Sequence, residues 1–99
     1  MPKTPADCRT MVDVRDGVDA TDRQIVELLE RRFGYMEAAA RIKPDREAVR
    51  DEARKSAVVE AVRHAARQRN LPADALADWW AELVEISIAY ETEEFDRTR

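Results

Sequence analysis

The stretch "ELLERRFGYMEAAARIKPD", residues 27–45, decides the fold of this chain. Its apolar residues recur at steps of three and four, which is the period of an amphipathic helix: Leu28, Leu29, Met36, Ala39 and Ile42. Pro44 disfavours helical geometry at the residue before it, so the helix is predicted to end just ahead of this proline. Followed backwards, the apolar stripe extends for several further turns.

That stripe predicts one long first helix over about residues 13–42, with Asp13 as its N-cap. At 1.5 Å per residue such a helix is about 45 Å long. A compact globule of 99 residues has a radius of gyration of only about 13 Å. A helix of that length with an apolar stripe needs a second chain to cover it, so we expect a homodimer with intertwined long helices.

The remaining sequence predicts two more helices and no strands. Residues 1–10 contain two prolines and form a leader. A second helix is predicted over about residues 49–69 and a third over about 73–97, separated by "RNLPAD", where Asn70 ends one helix and Pro72 begins the next. The predicted fold is all-α, with three helices per chain in one domain over residues 11–99 and an intertwined homodimeric helix bundle.

Composition excludes several classes of function. Hydrophobic residues make up 44% and charged residues 38%, and the formal net charge is −4 with both signs interleaved, so no nucleic-acid partner is expected. A single cysteine, Cys8, and a single histidine, His64, provide neither a disulfide nor a zinc cluster. No apolar run reaches the roughly 18 residues of a membrane span. We expect a cytoplasmic protein without membrane, metal or cofactor partners, and without a nucleophile activated by histidine.

Charged and polar residues interrupt the apolar stripes. Arg32 and Lys43 lie on the stripe of the first helix, and Ser87 and Glu91 lie on that of the third. Each has an ordinary explanation: a snorkelling arginine, a lysine at a helix C-terminus, a serine bonded to its own backbone and a solvent-exposed glutamate. Together, cations and a carboxylate on inward faces indicate a polar pocket inside a helix bundle.

Helix geometry limits which cations can meet at one ligand. Arg32 and Lys43 share a face and lie roughly 16 Å apart along the axis, so their long side chains can converge. Arg15 lies roughly 25 Å from Arg32 on the same helix and could reach that ligand only from a partner chain. Guanidinium groups bind carboxylates bidentately, so the pattern predicts a small dianionic substrate.

The chain resembles the all-helical chorismate mutase family, including its isochorismate-pyruvate lyase branch. The resemblance rests on "VRDGVDATDRQIVELLERR", on "AVRDEAR" and on an ordered set of positions: Arg15, Arg32, Lys43, Arg54, and Ser87 four residues before Glu91. It implies an intertwined homodimer with two equivalent sites. Each site would be built mainly from one chain, with Arg15 contributed by the other.

The resemblance also implies roles for the site residues. Arg32 and Arg54 would hold the substrate carboxylates. Lys43 would donate to the ether oxygen, with a carboxylate as a second acceptor left open. Asp51 and Ser87 would contact a hydroxyl or a carboxylate. Lys43, Glu91 and Arg32 would be the catalytic residues. The apolar wall would be formed by four residues: Met36, Ala39, Val84 and Ile88.

The implied reaction is the pericyclic conversion of chorismate to prephenate, which needs no covalent intermediate. Two effects would accelerate the reaction. Donors would stabilise the charge that develops on the ether oxygen as the C–O bond breaks, and they would hold the substrate in its reactive conformer. Three alternatives stay open: isochorismate-pyruvate lyase, a mutase acting on an amino-substituted chorismate, and a non-enzymatic helical dimerisation module. The last predicts that the cations are exposed and scattered.

Two residues depart from the family pattern. Bacterial members often carry glutamine where this chain has Glu91, and an ionised carboxylate would repel the developing charge, so Glu91 must be protonated to donate. Lys55 stands where many mutases place a glutamate that binds the ring hydroxyl, which leaves the substrate open. The leader "KTPADC" resembles the lyase branch, whereas "VRDEAR" is more similar to mutases.

Overall fold

The computed structural model describes residues 1–99 and contains helices and turns without strands. Its elements are a 3-10 turn (Pro5–Asp7), α1 (Met11–Ile42), a second 3-10 turn (Arg46–Val49), α2 (Glu52–Gln68) and α3 (Ala73–Thr98). The prediction of an all-α chain with three helices, the first of them long, is therefore confirmed. None of these helices combines the length and apolar character needed to cross a membrane.

The chain divides into two compact units, Met1–Gly34 and Tyr35–Arg99. The division into a leader over residues 1–10 and one domain over residues 11–99 stays a prediction. In Met1–Gly34 no residue is buried, and the apolar stripe of α1 is exposed at Val14 (38%), Val18 (51%), Ile25 (41%) and Leu28 (61%). Contiguous exposed apolar surface of this kind is typical of an interaction face.

The start of α1 corrects the predicted cap. Asp13 lies inside the helix rather than at its N-cap, because Thr10 occupies that place. The Thr10 hydroxyl accepts the Asp13 amide at 3.1 Å, and the Asp13 carboxylate accepts the amides of Arg9 at 2.9 Å and Thr10 at 3.3 Å. This reciprocal pattern is a capping box. The Arg9 amide is the main reason that the pKa of Asp13 lies below its usual value.

The connection between α1 and α2, residues 43–51, is longer than predicted. Pro44 ends α1 as expected, and the Lys43 amide still bonds the Ala39 carbonyl at 2.9 Å. The second helix begins at Glu52 instead of near residue 49, because Asp51 caps it by accepting the Arg54 amide at 2.9 Å. The second 3-10 turn fills the intervening residues.

The break between α2 and α3 agrees with the prediction. Asn70 adopts the left-handed conformation (φ 57°), which asparagine tolerates better than most residues, and the Leu71 amide bonds the Ala66 carbonyl at 2.9 Å. Pro72 directly precedes α3 and its carbonyl accepts the Leu76 amide at 3.0 Å. The turn sends α3 back along α2.

Small and aliphatic side chains, together with one aromatic ring, form the core of Tyr35–Arg99. The buried apolar residues are Ala40, Val49, Ala66, Ala73, Ala77, Leu83, Val84 and Phe95. Alanines let the α2 and α3 backbones approach closely. An ion pair between Arg63 and Asp74 adds a surface tie between these two helices and raises the pKa of Arg63.

Candidate active site

Lys43 and Glu91 form the central contact of the candidate site. Lys43 follows the last residue of α1, and its Nζ lies 2.6 Å from Oε2 of Glu91 on α3. The same ammonium donates to the Val49 carbonyl at 3.4 Å. The Glu91 residue is only 4% exposed, which excludes the solvent-exposed alternative for this carboxylate. A charge-assisted bond at this distance is a strong one.

The chemistry of this pair depends on the remaining donor capacity of the lysine. An ammonium group has three N–H donors, and Glu91 and Val49 occupy two of those on Lys43. The third can be offered to an oxygen of a bound ligand. Lys43 itself is half-buried, so that donor acts where water screens charge less than in bulk solution.

Ser87 lies one turn before Glu91 and is 3% exposed, so both predicted polar residues of α3 are on its buried face. The Ser87 hydroxyl donates to the Leu83 carbonyl at 2.7 Å. Ser87 is therefore bonded to the backbone of its own helix, which is the ordinary explanation for a buried helical serine. Every buried side-chain nitrogen and oxygen in the structure has a hydrogen-bond partner.

The α2 residues of the predicted site are exposed at the start of that helix. The Asp51 carboxylate caps α2 through the Arg54 amide, while the Arg54 side chain extends from the first turn into solvent. Capping uses one oxygen of Asp51, and a carboxylate has capacity for further donors. His64, farther along α2, is exposed.

The other predicted residues are distributed over both units. In Met1–Gly34, Arg15 is exposed and Arg32 is partly buried. In Tyr35–Arg99, the four residues of the predicted apolar wall differ in exposure: Val84 is buried, whereas Met36, Ala39 and Ile88 are intermediate. The structure thus brings Lys43 and Glu91 together directly. The convergence of Arg15 and Arg32 on that pair remains a prediction.

Comparison with known proteins places the chain in a family. The family model for chorismate mutase type II matches residues 14–92. The chain belongs to this family. A relative, the isochorismate pyruvate lyase of Pseudomonas aeruginosa (strain PAO1), is 31% identical over 97 residues, which cover 98% of this chain and 96% of that protein. These matches support an enzyme of the chorismate mutase type and leave the exact activity to be decided.

A second charged cluster in this chorismate mutase type II chain was not anticipated from the sequence. Glu85 on α3 accepts from Arg50 (Nη2 to Oε1, 2.9 Å) and from Lys55 (Nζ to Oε2, 2.9 Å), and Arg50 also contacts Glu52 at 2.7 Å. The Arg50 guanidinium, followed by the Lys55 ammonium, lowers the pKa of Glu85 to about 2. Lys55, the departure from the family pattern, therefore has a carboxylate partner.

A groove of about 590 Å³ adjoins this cluster. The second 3-10 turn and one face of α3 line it, with Val49, Ile88 and Ala89 as its apolar part and Arg46, Arg50 and Glu85 among its charged residues. Ile88 is the one predicted site residue on its wall. The groove could not be found from sequence, because its walls lie about 40 residues apart along the chain.

The Glu85 cluster predicts a pH-dependent contribution to stability. Because the pKa of Glu85 falls from 4.5 to about 2 on folding, its ionised form stabilises the fold above about pH 4.5, and this contribution is lost as pH falls towards about 2. We expect Glu85→Gln to lower the free energy of unfolding near neutral pH. The difference from wild type should vanish near pH 2, as measured by urea unfolding.

Glu82→Gln is the matched control, because Glu82 is an exposed carboxylate of the same helix outside the cluster. It should leave the stability profile unchanged. A constant difference between Glu85→Gln and wild type across this pH range would contradict the assigned electrostatic contribution.

Proposed function

We propose that this protein converts chorismate to prephenate by electrostatic stabilisation of a pericyclic transition state. The observation that supports it best is the Lys43 ammonium at the end of α1, held against the buried Glu91 with one N–H still to offer. As the substrate C–O bond breaks, negative charge grows on the ether oxygen. A donor already in place stabilises that charge without reorganisation.

The arginines supply binding and conformer selection in this proposal. Arg32 and Arg54 hold the two substrate carboxylates, and fixing both ends of a flexible molecule favours its reactive conformer. Asp51 and Ser87 contact the ring hydroxyl or a carboxylate. Met36, Ala39, Val84 and Ile88 cover the apolar part of the ring. No step requires a nucleophile or a cofactor.

Glu91 has two opposing effects in the proposed reaction. Its carboxylate holds Lys43 in place, but an ionised oxygen beside the ether oxygen would repel the charge that develops there. We infer that the reacting complex contains protonated Glu91, which donates to the ether oxygen alongside Lys43.

We further propose an intertwined homodimer in which Arg15 enters the site of the partner chain. The exposed apolar stripe of α1 supports it, because surface of this kind is normally covered in a stable protein. A dimer would bury the stripe and bring a third guanidinium to each substrate. Two equivalent sites would result.

Isochorismate-pyruvate lyase is the second candidate activity. The observation that favours it is the 31% identity to the lyase of Pseudomonas aeruginosa across nearly the whole length of both chains. Both reactions break a C–O bond to an enolpyruvyl oxygen, so the same cationic site could serve either. The lyase would release salicylate and pyruvate.

Product analysis tests these proposals directly. Purified protein incubated with chorismate should form prephenate, and incubation with isochorismate should show whether salicylate and pyruvate appear. We expect Lys43→Ala and Arg32→Ala to lower kcat/KM by about 100-fold or more, because each removes a group that stabilises the transition state or holds the substrate.

Arg31→Ala is the matched control for Arg32→Ala, since Arg31 is its exposed neighbour on α1. Circular dichroism checks that each variant is folded. Full activity in Lys43→Ala would exclude the proposed mechanism, and consumption of neither substrate would favour a helical dimerisation module. Turnover of an amino-substituted chorismate alone would identify the third substrate.

The protonation of Glu91 predicts a pH profile. In the wild type, kcat/KM should fall as pH rises, because the protonated donor is depleted. Glu91→Gln keeps a neutral donor at every pH, so its profile should be flat over the same range. A decline of equal steepness in Glu91→Gln and wild type would show that another group controls the profile.

The shared site predicts complementation between two inactive variants. When Arg15→Ala and Lys43→Ala chains are unfolded and refolded together, each heterodimer contains one site with both residues intact. Random pairing should therefore restore about a quarter of the wild-type activity. A mixture as inactive as its components would place Arg15 in the site of its own chain.

A further inference from the structure

The end of α1 contains a carbonyl that its own helix cannot satisfy. In a helix the Ala40 carbonyl would accept the amide of residue 44, but that residue is Pro44, which has no N–H. Ala40 is 1% exposed, so water cannot readily replace the missing donor. The Lys43 carbonyl, just beyond the helix, likewise has no partner within α1.

Arg99 supplies both bonds from the far end of α3. Its Nη2 donates to the Lys43 carbonyl at 2.7 Å and to the Ala40 carbonyl at 3.2 Å. The guanidinium lies over the Phe95 ring, with Cζ 4.2 Å from the ring centroid, and Phe95 is buried. A cation at a helix C-terminus also complements the helix dipole. The arginine therefore caps α1 in place of the amide that Pro44 lacks.

Two residues on one face of α3, and Arg99 directly after the helix, thus contact Lys43 or support the group that does. Glu91, Phe95 and Arg99 follow one another at steps of four, so their side chains stack along the same face. Glu91 binds the ammonium of Lys43, Arg99 binds its backbone carbonyl, and Phe95 lies between them beneath the guanidinium. Residues in and directly after α3 thus hold both the side-chain ammonium and the backbone carbonyl of Lys43.

We propose that Arg99 is a positioning residue for Lys43. It fixes the Lys43 backbone, so that the ammonium reaches both Glu91 and the Val49 carbonyl and keeps its third donor available for the ligand. The inference rests on the proposed function insofar as Lys43 is the donor to the substrate. The capping contact is a feature of the fold, and its effect on Lys43 can be measured without substrate.

Lysine-specific NMR measures the positioning directly. The chain has three lysines, Lys3, Lys43 and Lys55, so ¹⁵Nζ labelling gives few signals, which Lys3→Arg and Lys55→Arg assign. In Arg99→Ala the Lys43 signal should shift or broaden while the other two stay in place. Arg97→Ala is the matched control, because Arg97 lies at the same end of α3 and pairs with Glu94 on its own helix. It should leave Lys43 unchanged.

Kinetics measure the consequence for turnover. Arg99→Ala should lower kcat by about tenfold, because small displacements of a catalytic donor are costly, and KM should change by less than about twofold. Arg99→Lys retains a cationic donor and should recover part of the loss and part of the wild-type Lys43 signal. Arg97→Ala should retain wild-type kcat.

The two measurements separate the failure of this inference from the failure of the proposed function. A Lys43 signal that is unchanged in Arg99→Ala, or that moves equally in Arg97→Ala, overturns the positioning role whatever the activity. If the wild type consumes neither chorismate nor isochorismate, the proposed function fails and the NMR result alone decides the role of Arg99. A normal kcat in Arg99→Ala with a displaced Lys43 signal would overturn its importance for catalysis.

Discussion

A carboxylate buried on α3 requires a cation within contact distance, and the packing within Tyr35–Arg99 depends on that requirement. Glu91 is 4% exposed and Lys43 supplies the compensating charge at 2.6 Å. Removing one member of such a pair costs far more than the pair contributes to stability, because it leaves an uncompensated charge. The end of α1 must therefore lie against this turn of α3. A slip of one residue in either helix would break the contact.

Pro44 links this electrostatic constraint to the course of the backbone. By ending α1 directly after Ile42, it places the Lys43 side chain at a helix end, where the following residues are free to turn. Its missing N–H leaves the Ala40 carbonyl without an intrahelical partner, and Arg99 fills that deficit. One proline thus sets both the position of the cation and the need for a second contact from α3.

The sequence predicted the features that depend on local periodicity, together with the meeting of Lys43 and Glu91, and missed other contacts between distant residues. Periodicity placed Ser87 and Glu91 on a buried face, and the prolines gave the helix ends to within a few residues. The start of α2 was predicted too early. The carboxylates of Asp45 and Asp51 cap the second 3-10 turn and α2, and this capping depends on local turn geometry rather than on apolar spacing. Contacts such as that of Arg99 with Lys43 join residues 56 positions apart, and exposed arginines carry no signal that selects one partner.

Charge balance around the site bears on which ring substituent it would accept. Where many mutases place a glutamate that binds the ring hydroxyl, this chain has Lys55, paired with Glu85. A carboxylate only accepts hydrogen bonds, whereas an ammonium only donates them, and a ring hydroxyl can serve either partner. An ammonium group on the substrate ring could not bind next to Lys55, because the two positive charges would repel each other. On the proposed function, this exchange disfavours amino-substituted substrates and is compatible with both chorismate and isochorismate, whose hydroxyl groups can accept from Lys55.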